Sequence, residues 1–179
     1  TWDYDASNGI AANAYDFVGI AAHEIGHALG FISGVDVLDG NSPPVNGPFT
    51  ADQFTFVSAL DLFRYSALST ASGVIDFSAD TRSKYFSIDG GVTAGPAFST
   101  GRNFGDGQQA SHWKDNLAIG IMDPTASQGE FLNITPYDVQ ALDVVGWNLA
   151  TAVPEPGTYA LFGLGLVGIT LRRRLGQQA

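Results

Sequence analysis

The stretch that decides the fold is residues 14–31, AYDFVGIAAHEIGHALGF, which contains the pattern His-Glu-x-x-His. Its apolar residues recur every three or four positions, and this spacing predicts a helix from residue 14 to about residue 31. We expect Asp16 or Asn13 to cap the start of this helix, and Gly30 or Gly34 to end it.

The two histidines of this pattern, His23 and His27, lie four residues apart and therefore share one face of the helix. Both imidazoles can then bind one metal ion at about 2.0–2.1 Å, with Glu24 beside them to take a proton from a zinc-activated water. The chain has three histidines and three glutamates, so the pattern arises by chance on the order of once in a thousand such sequences. We therefore predict a catalytic zinc site.

A catalytic zinc ion takes three protein ligands and leaves one position open. The third histidine, His112, stands in Ser-His-Trp, ten residues before the only methionine, Met122. In the metzincin form of the motif a histidine would stand at position 33, where this chain has Ser33. Asp36, three residues further on, is an alternative ligand.

This arrangement resembles the leishmanolysin-type branch of the metzincin zinc peptidases. The motif continues as H-A-L-G-F at residues 27–31, and Ser-His-Trp at residues 111–113 precedes the Ile-Met-Asp-Pro of residues 121–124, in the order of that family. The resemblance implies His23, His27 and His112 as zinc ligands and Glu24 as general base. It implies further that Met122 forms an apolar floor under the metal and that Gly30 turns the chain beneath it.

The family's tyrosine two residues after the methionine is Pro124 here, so a tyrosine role cannot be carried over. The resemblance also implies a twisted sheet before the active-site helix. Only about 14 residues precede that helix, and we expect this sheet to lie upstream of Thr1.

Outside the motif, the sequence predicts an α+β fold. Residues 50–62 are expected to form a second helix, with Thr50 and Gln53 as a capping box. Residues 64–99, rich in aromatic and β-branched residues, indicate short strands and a hairpin near Asp-Gly-Gly at residues 89–91. Residues 134–146 predict a C-terminal helix with Thr135 as its N-cap.

Composition excludes two classes of chemistry. Cysteine is absent, which removes disulfides, thiolate metal sites and a cysteine nucleophile. Residues 1–152 carry 17 acidic and five basic residues, a net charge of −12. No basic surface is left to neutralise phosphates, so we expect no nucleic-acid partner.

The C-terminal residues have a different composition. Val-Pro-Glu-Pro-Gly at residues 153–157 is followed by about 15 uncharged residues and three arginines at 172–174. This tail resembles the PEP-CTERM sorting signal of Gram-negative bacteria, which implies processing by an exosortase. A helix over residues 157–171 would be about 22 Å long, short of the ~30 Å hydrocarbon core, so we expect only transient residence in the inner membrane.

We therefore predict a catalytic domain over residues 1–147, a linker over 148–156, and a short transmembrane sorting helix with its arginine stop over 157–174. The predicted function is an exported zinc metalloendopeptidase of the cell envelope or extracellular space, acting on proteins or peptides. The alternative from another class is a non-catalytic surface or matrix protein that retains a structural metal site.

Deleting residues 153–179 should leave zinc binding and the melting temperature nearly unchanged, because the tail is expected to make no core contact. The same deletion should release the protein to the medium instead of leaving it with the envelope. Fractionation of producing cells and thermal unfolding of the purified variant check the two outcomes. A deletion that unfolds the domain would show that the tail is a core element.

Overall fold

The computed structural model describes residues 1–41, 50 and 53–150 of the chain. Helices and short strands are mixed along the chain, as the predicted α+β class requires. In chain order the elements are β1 (Trp2–Asp3), β2 (Tyr15–Asp16), α1 (Phe17–Ala28), α2 (Val35–Asn41), β3 (Arg64–Tyr65), α3 (Ala67–Ala71), β4 (Lys84–Phe86), β5 (Ala97–Phe98) and α4 (Pro136–Val144). Two 3-10 helices, Ala6–Asn8 and Leu60–Phe63, complete the set.

Helix α1 has the ends that the sequence predicts. The Asp16 carboxylate accepts a hydrogen bond from the Gly19 amide at 2.9 Å and so caps the first turn. At the other end the Gly30 amide donates to the His27 carbonyl and the Phe31 amide donates to the Gly26 carbonyl, both at 3.0 Å. This pair of bonds is a Schellman motif, and Gly30 supplies the positive φ of +112° that the motif requires.

Helix α4 begins after the predicted cap and ends in the same way as α1. The Thr135 backbone amide donates to the Asp138 carboxylate at 2.7 Å, and Gly146 ends the helix with a φ of +115°. The turn directs Trp147 back towards α1, where its Nε1 donates to the Leu29 carbonyl at 2.6 Å. The ends of the two helices are thereby joined.

The segment between the helices contains the predicted strands. Strand β4 pairs in antiparallel fashion with both β3 and β5, and residues 89–91 lie in the connection from β4 to β5. The other strands, β1 and β2, form a two-residue parallel pair before α1. The core is built around Trp113, which stacks on Phe98 with ring centroids 5.0 Å apart and meets Phe31 edge-on at 4.9 Å.

The helix expected over residues 50–62 is wrong for the part that the structure describes. Residues 54–58 have no regular secondary structure, and Leu60–Phe63 form a turn of 3-10 helix instead of continuing an α-helix. Tertiary contacts override the local pattern: Ser58 donates through Oγ to the Ile32 carbonyl at 2.6 Å, and its amide donates to the buried Asp61 carboxylate at 2.8 Å. Gln53 still accepts from the Thr50 amide at 2.8 Å, as a capping residue would.

The chain separates into two units, Thr1–Asn148 and Leu149–Ala179, and all the elements named above lie in the first. The linker and the helix predicted for residues 157–171 fall almost entirely outside the described residues. None of the helices within the described residues is long and apolar enough to cross a membrane.

Asp138, in the first turn of α4, joins three parts of the core. Its fully buried carboxylate accepts from Trp113 Nε1 at 2.8 Å, from the Ile121 amide at 3.0 Å and from Thr135. A buried carboxylate with several donors is strongly coupled to its surroundings, because removing it leaves each donor without a partner. Asp138 therefore fixes Trp113, which follows His112, and Ile121, which precedes Met122.

Replacing Asp138 by alanine should lower the free energy of unfolding by about 3 kcal/mol or more, because several buried donors lose their acceptor. Urea denaturation measures this change. Asp143→Ala, on the same helix but at an exposed position, is the control and should change stability by less than about 0.5 kcal/mol. Equal losses in the two variants would contradict the role given to Asp138.

Candidate metal centre

The three histidines of the chain meet at one point. His23 and His27 come from successive turns of α1, and His112 comes from the loop after β5. The Nε2 atoms are 3.1 Å apart between His27 and His23, 3.2 Å between His27 and His112, and 3.3 Å between His112 and His23. In the part of the chain that the structure describes, this is the one cluster of His, Asp or Glu side chains arranged to hold a metal ion.

Each imidazole is oriented by a backbone carbonyl on its far side. His23 Nδ1 donates to the Ile121 carbonyl and His27 Nδ1 to the Phe31 carbonyl, both at 2.8 Å, while His112 Nδ1 donates to the Gln109 carbonyl at 3.2 Å. A carbonyl oxygen only accepts, so the Nδ1 atom of each ring carries the proton. In a neutral imidazole the Nε2 atom is then unprotonated, and its lone pair is directed at the Nε2 atoms of the other two histidines.

Three lone pairs at this spacing repel one another unless a cation lies between them. Two nitrogens held at about 2.0–2.1 Å by one tetrahedral ion lie about 3.3–3.4 Å apart, within a few tenths of an ångström of the three separations. Backbone carbonyls that fix the tautomer from behind are the usual support of metal-binding histidines. The donor set therefore fits a zinc ion with three imidazole ligands and an open position.

Burial lowers the pKa of His112 to about 4, with further lowering by the charges of His27 and His23. Proton binding to a buried ring is costly because the cation loses its hydration. At neutral pH His112 is therefore uncharged, which is the form that binds metal.

Met122 lies against α1 on the inner side of the site. A Cβ atom placed on Gly26 would be 2.5 Å from the Met122 sulfur, so the glycine within the His-Glu-x-x-His motif provides the room for this side chain. The backbone of this segment binds one histidine and the residue after another, because the Ile121 carbonyl accepts from His23 and the Met122 carbonyl accepts from the Trp113 amide at 2.9 Å.

Gly30 acts on the site through the turn that it permits. The Schellman motif brings the carbonyl of Phe31 under His27, where it accepts the Nδ1 proton. Ser33, at the position where the metzincin form of the motif has its third histidine, is buried and donates through Oγ to Asp61 at 2.5 Å.

Asp36 does not join the histidine cluster. Its carboxylate accepts from the Ala110 amide at 2.6 Å and from the Ser111 amide at 3.0 Å, and a further short hydrogen bond comes from Ser111 Oγ. In the structure Asp36 is therefore not a member of the histidine cluster, and the alternative ligand set is not the one that the fold brings together. Asp36 instead binds the loop that carries His112.

Two buried charged residues, Arg64 and Asp39, also hold that loop. Arg64 donates through Nη1 to the Ser99 carbonyl at 3.0 Å and through Nη2 to the Ala110 carbonyl. Asp39 accepts from the Asn103 amide at 2.8 Å and the Phe104 amide at 2.9 Å. The loop of residues 99–112 is thus anchored at several points. Asp39 belongs to α2 and Arg64 to β3. Both lie far along the chain from the loop residues that they bind, so no local sequence pattern predicts these contacts.

Glu24 is exposed on α1 next to His23. Within residues 1–41, 50 and 53–150, no hydrogen bond or ion pair engages its carboxylate. Together with His23, Asp123 and Pro124 it lines a cavity of about 150 Å³. A second cavity of about 450 Å³ shares Asp123, Thr125 and Leu132 with the first and therefore lies next to it, along the segment that follows Met122.

His112→Ala should weaken zinc binding by more than about 100-fold, because only two imidazoles remain at the site. Competition with a chromophoric chelator measures the affinity. Gln109→Ala keeps the carbonyl that His112 needs and changes only an exposed side chain, so it should bind zinc like the parent. For the parent protein, free zinc at 100 times Kd should add about 2.7 kcal/mol of stability, lost on chelation. A melting temperature indifferent to zinc would contradict the site.

The comparisons with known proteins bear on the tail. No curated protein and no solved structure matches the chain. Residues 152–174 match the family model of the PEP-CTERM protein-sorting motif, which confirms the sorting signal expected from the sequence. The chain therefore carries the motif of a secreted, exosortase-processed protein of the Gram-negative cell envelope.

Proposed function

We propose that the protein is a zinc-dependent endopeptidase that hydrolyses peptide bonds outside the cytoplasm. The observation that carries this proposal is the convergence of three Nε2 lone pairs within 3.1–3.3 Å, each fixed by a carbonyl behind its ring. Such a site requires the fold to hold three mutually repelling groups together, which no packing requirement explains.

His23, His27 and His112 would hold the ion through Nε2. When bound, zinc acidifies a coordinated water and polarises the substrate carbonyl. The protein supplies the geometry: the Nδ1 hydrogen bonds keep each ring in the tautomer that binds metal, and burial keeps His112 neutral. Of the three histidines, His23 lines the cavity that Glu24 also lines.

Glu24 is the candidate general base and acid. It follows His23 directly on α1, it is exposed to the cavity, and its carboxylate is free of hydrogen bonds to the described residues. A carboxylate in this state can accept a proton from the attacking water and then return it to the amine that leaves. The water oxygen would bond to the carbonyl carbon first, and the carbon–nitrogen bond would break afterwards, when Glu24 passes the proton to the leaving nitrogen.

The adjoining cavities suit an extended substrate. Their lining residues extend from Glu24 through Asp123 and Thr125 to Phe131 and Thr135, and they include both polar and apolar side chains. Protein or peptide chains are substrates of this length, whereas a site for a small molecule is usually more enclosed.

The alternative, a non-catalytic surface or matrix protein with a structural metal, has less support. Structural zinc sites are closed by four protein ligands, and among the described residues only the three histidines converge. A structural site would also have no use for an unbonded Glu24 next to the first ligand. The sorting motif supports an exported protein of the cell envelope, which is where we propose that the activity is exerted. The transient residence of the tail in the inner membrane is part of the same proposal.

Glu24→Gln should keep zinc binding while lowering the rate of peptide hydrolysis by about 10²–10⁴-fold or more, because the amide cannot take the proton. Cleavage of a fluorogenic casein-type substrate by the zinc-loaded full chain measures the rate, and bound zinc is quantified on the same samples. Asp143→Asn, on the exposed face of α4, removes one negative charge remote from the cavities and is the matched control. A Glu24→Gln protein as active as that control would overturn the proposed mechanism.

A further inference from the structure

The bonds made by Asp36 are concentrated next to one metal-site residue. Its three donors are the Ala110 amide, the Ser111 amide and the Ser111 hydroxyl, which are the groups immediately before His112. Ala110 is fully buried, Ser111 is 8% exposed and Asp36 is half-buried, so these bonds are partly shielded from water, which strengthens them.

Ser111 extends the contact to the other side of the site. Its Oγ donates to Asp36 and accepts from the Ser33 amide at 2.8 Å, and Ser33 follows the turn that ends α1. The hydroxyl therefore links the loop with His112 to the chain that leaves the helix with His23 and His27. Asp36 and Ser111 together set the separation between the two elements that supply the imidazoles.

Asp39, one turn further along α2, provides a contrast within the same helix. It is also a carboxylate that accepts two backbone amides of the loop, but these belong to Asn103 and Phe104, eight or more residues before His112. Both aspartates therefore lie on α2 and accept backbone amides of the loop. They differ in how many residues separate those amides from His112.

We propose that Asp36 is a positioning residue for the metal centre: it places His112 against His23 and His27 through Ser111 and so sets the zinc affinity. This inference rests on the proposed function for the identity of the metal. Charged groups behind metal ligands typically change metal affinity by 10–100-fold when they are removed, although they never touch the ion.

The test measures zinc affinity by chelator competition in the full chain for the parent, Asp36→Asn and Asp39→Asn, below the melting temperature of all three. Asp36→Asn directs an amide donor at a backbone N–H, so zinc affinity should fall by about 10–100-fold. Asp39→Asn should lower thermal stability comparably and leave zinc affinity within about threefold of the parent. The visible spectrum of the cobalt-substituted proteins provides a second readout, and only Asp36→Asn should alter its tetrahedral bands.

Ser111→Ala is a milder variant for the case that Asp36→Asn does not fold. It removes only the hydroxyl link, and a smaller loss of zinc affinity in the same direction is expected. Equal zinc affinities in the Asp36 and Asp39 variants, or a Ser111→Ala protein identical to the parent, would overturn the inference and leave the proposed function standing. A parent protein that binds no zinc would overturn both.

Discussion

The structure depends on holding three imidazole lone pairs at 3.1–3.3 Å from one another. Bringing three lone pairs this close together is unfavourable because they repel one another. Hydrogen bonds on the far side of each ring hold the histidines in this orientation. Carbonyls of Ile121, Phe31 and Gln109 bind the far nitrogen of each ring. Each carbonyl belongs to a different segment: Ile121 precedes Met122, Phe31 follows the Schellman turn at Gly30, and Gln109 lies in the anchored loop before His112.

Charged side chains hold these three segments in position relative to one another. Asp138 ties the segment of Ile121 and Met122 to Trp113, Asp36 holds the residues before His112, and Arg64 binds two carbonyls of the same loop. Burying charged groups is costly unless they are fully bonded. Burial lowers the pKa of Arg64 to about 10, although Asp61 and other carboxylates oppose this effect. The hydrogen bonds that these groups make offset the cost and hold the loop that carries His112 in position.

The sequence predicted what local spacing determines. Two histidines four apart, the caps of α1 and α4, and the strands between residues 64 and 99 follow from periodicity and turn chemistry, and His112 followed from its Ser-His-Trp context. The helix expected over 50–62 was wrong because Asp61 and Ile32 bind Ser58 more effectively than a helix would. Asp36 was kept as an alternative ligand. Its bonds to the loop, and the core contacts of Asp138 and Arg64, were missed because partners such as Ser111 for Asp36 and Ile121 for Asp138 lie 75 and 17 residues away along the chain.

The central claim is that one zinc ion is bound by exactly these three imidazoles with one position left open. X-ray absorption at the zinc edge of the loaded protein tests it most directly. The account predicts a shell of four light atoms at about 2.0–2.1 Å, with the multiple-scattering pattern of three imidazole rings and one oxygen from solvent. A spectrum that fits two imidazoles or fewer, or a closed shell with a carboxylate such as Asp36 in the fourth position, would contradict it.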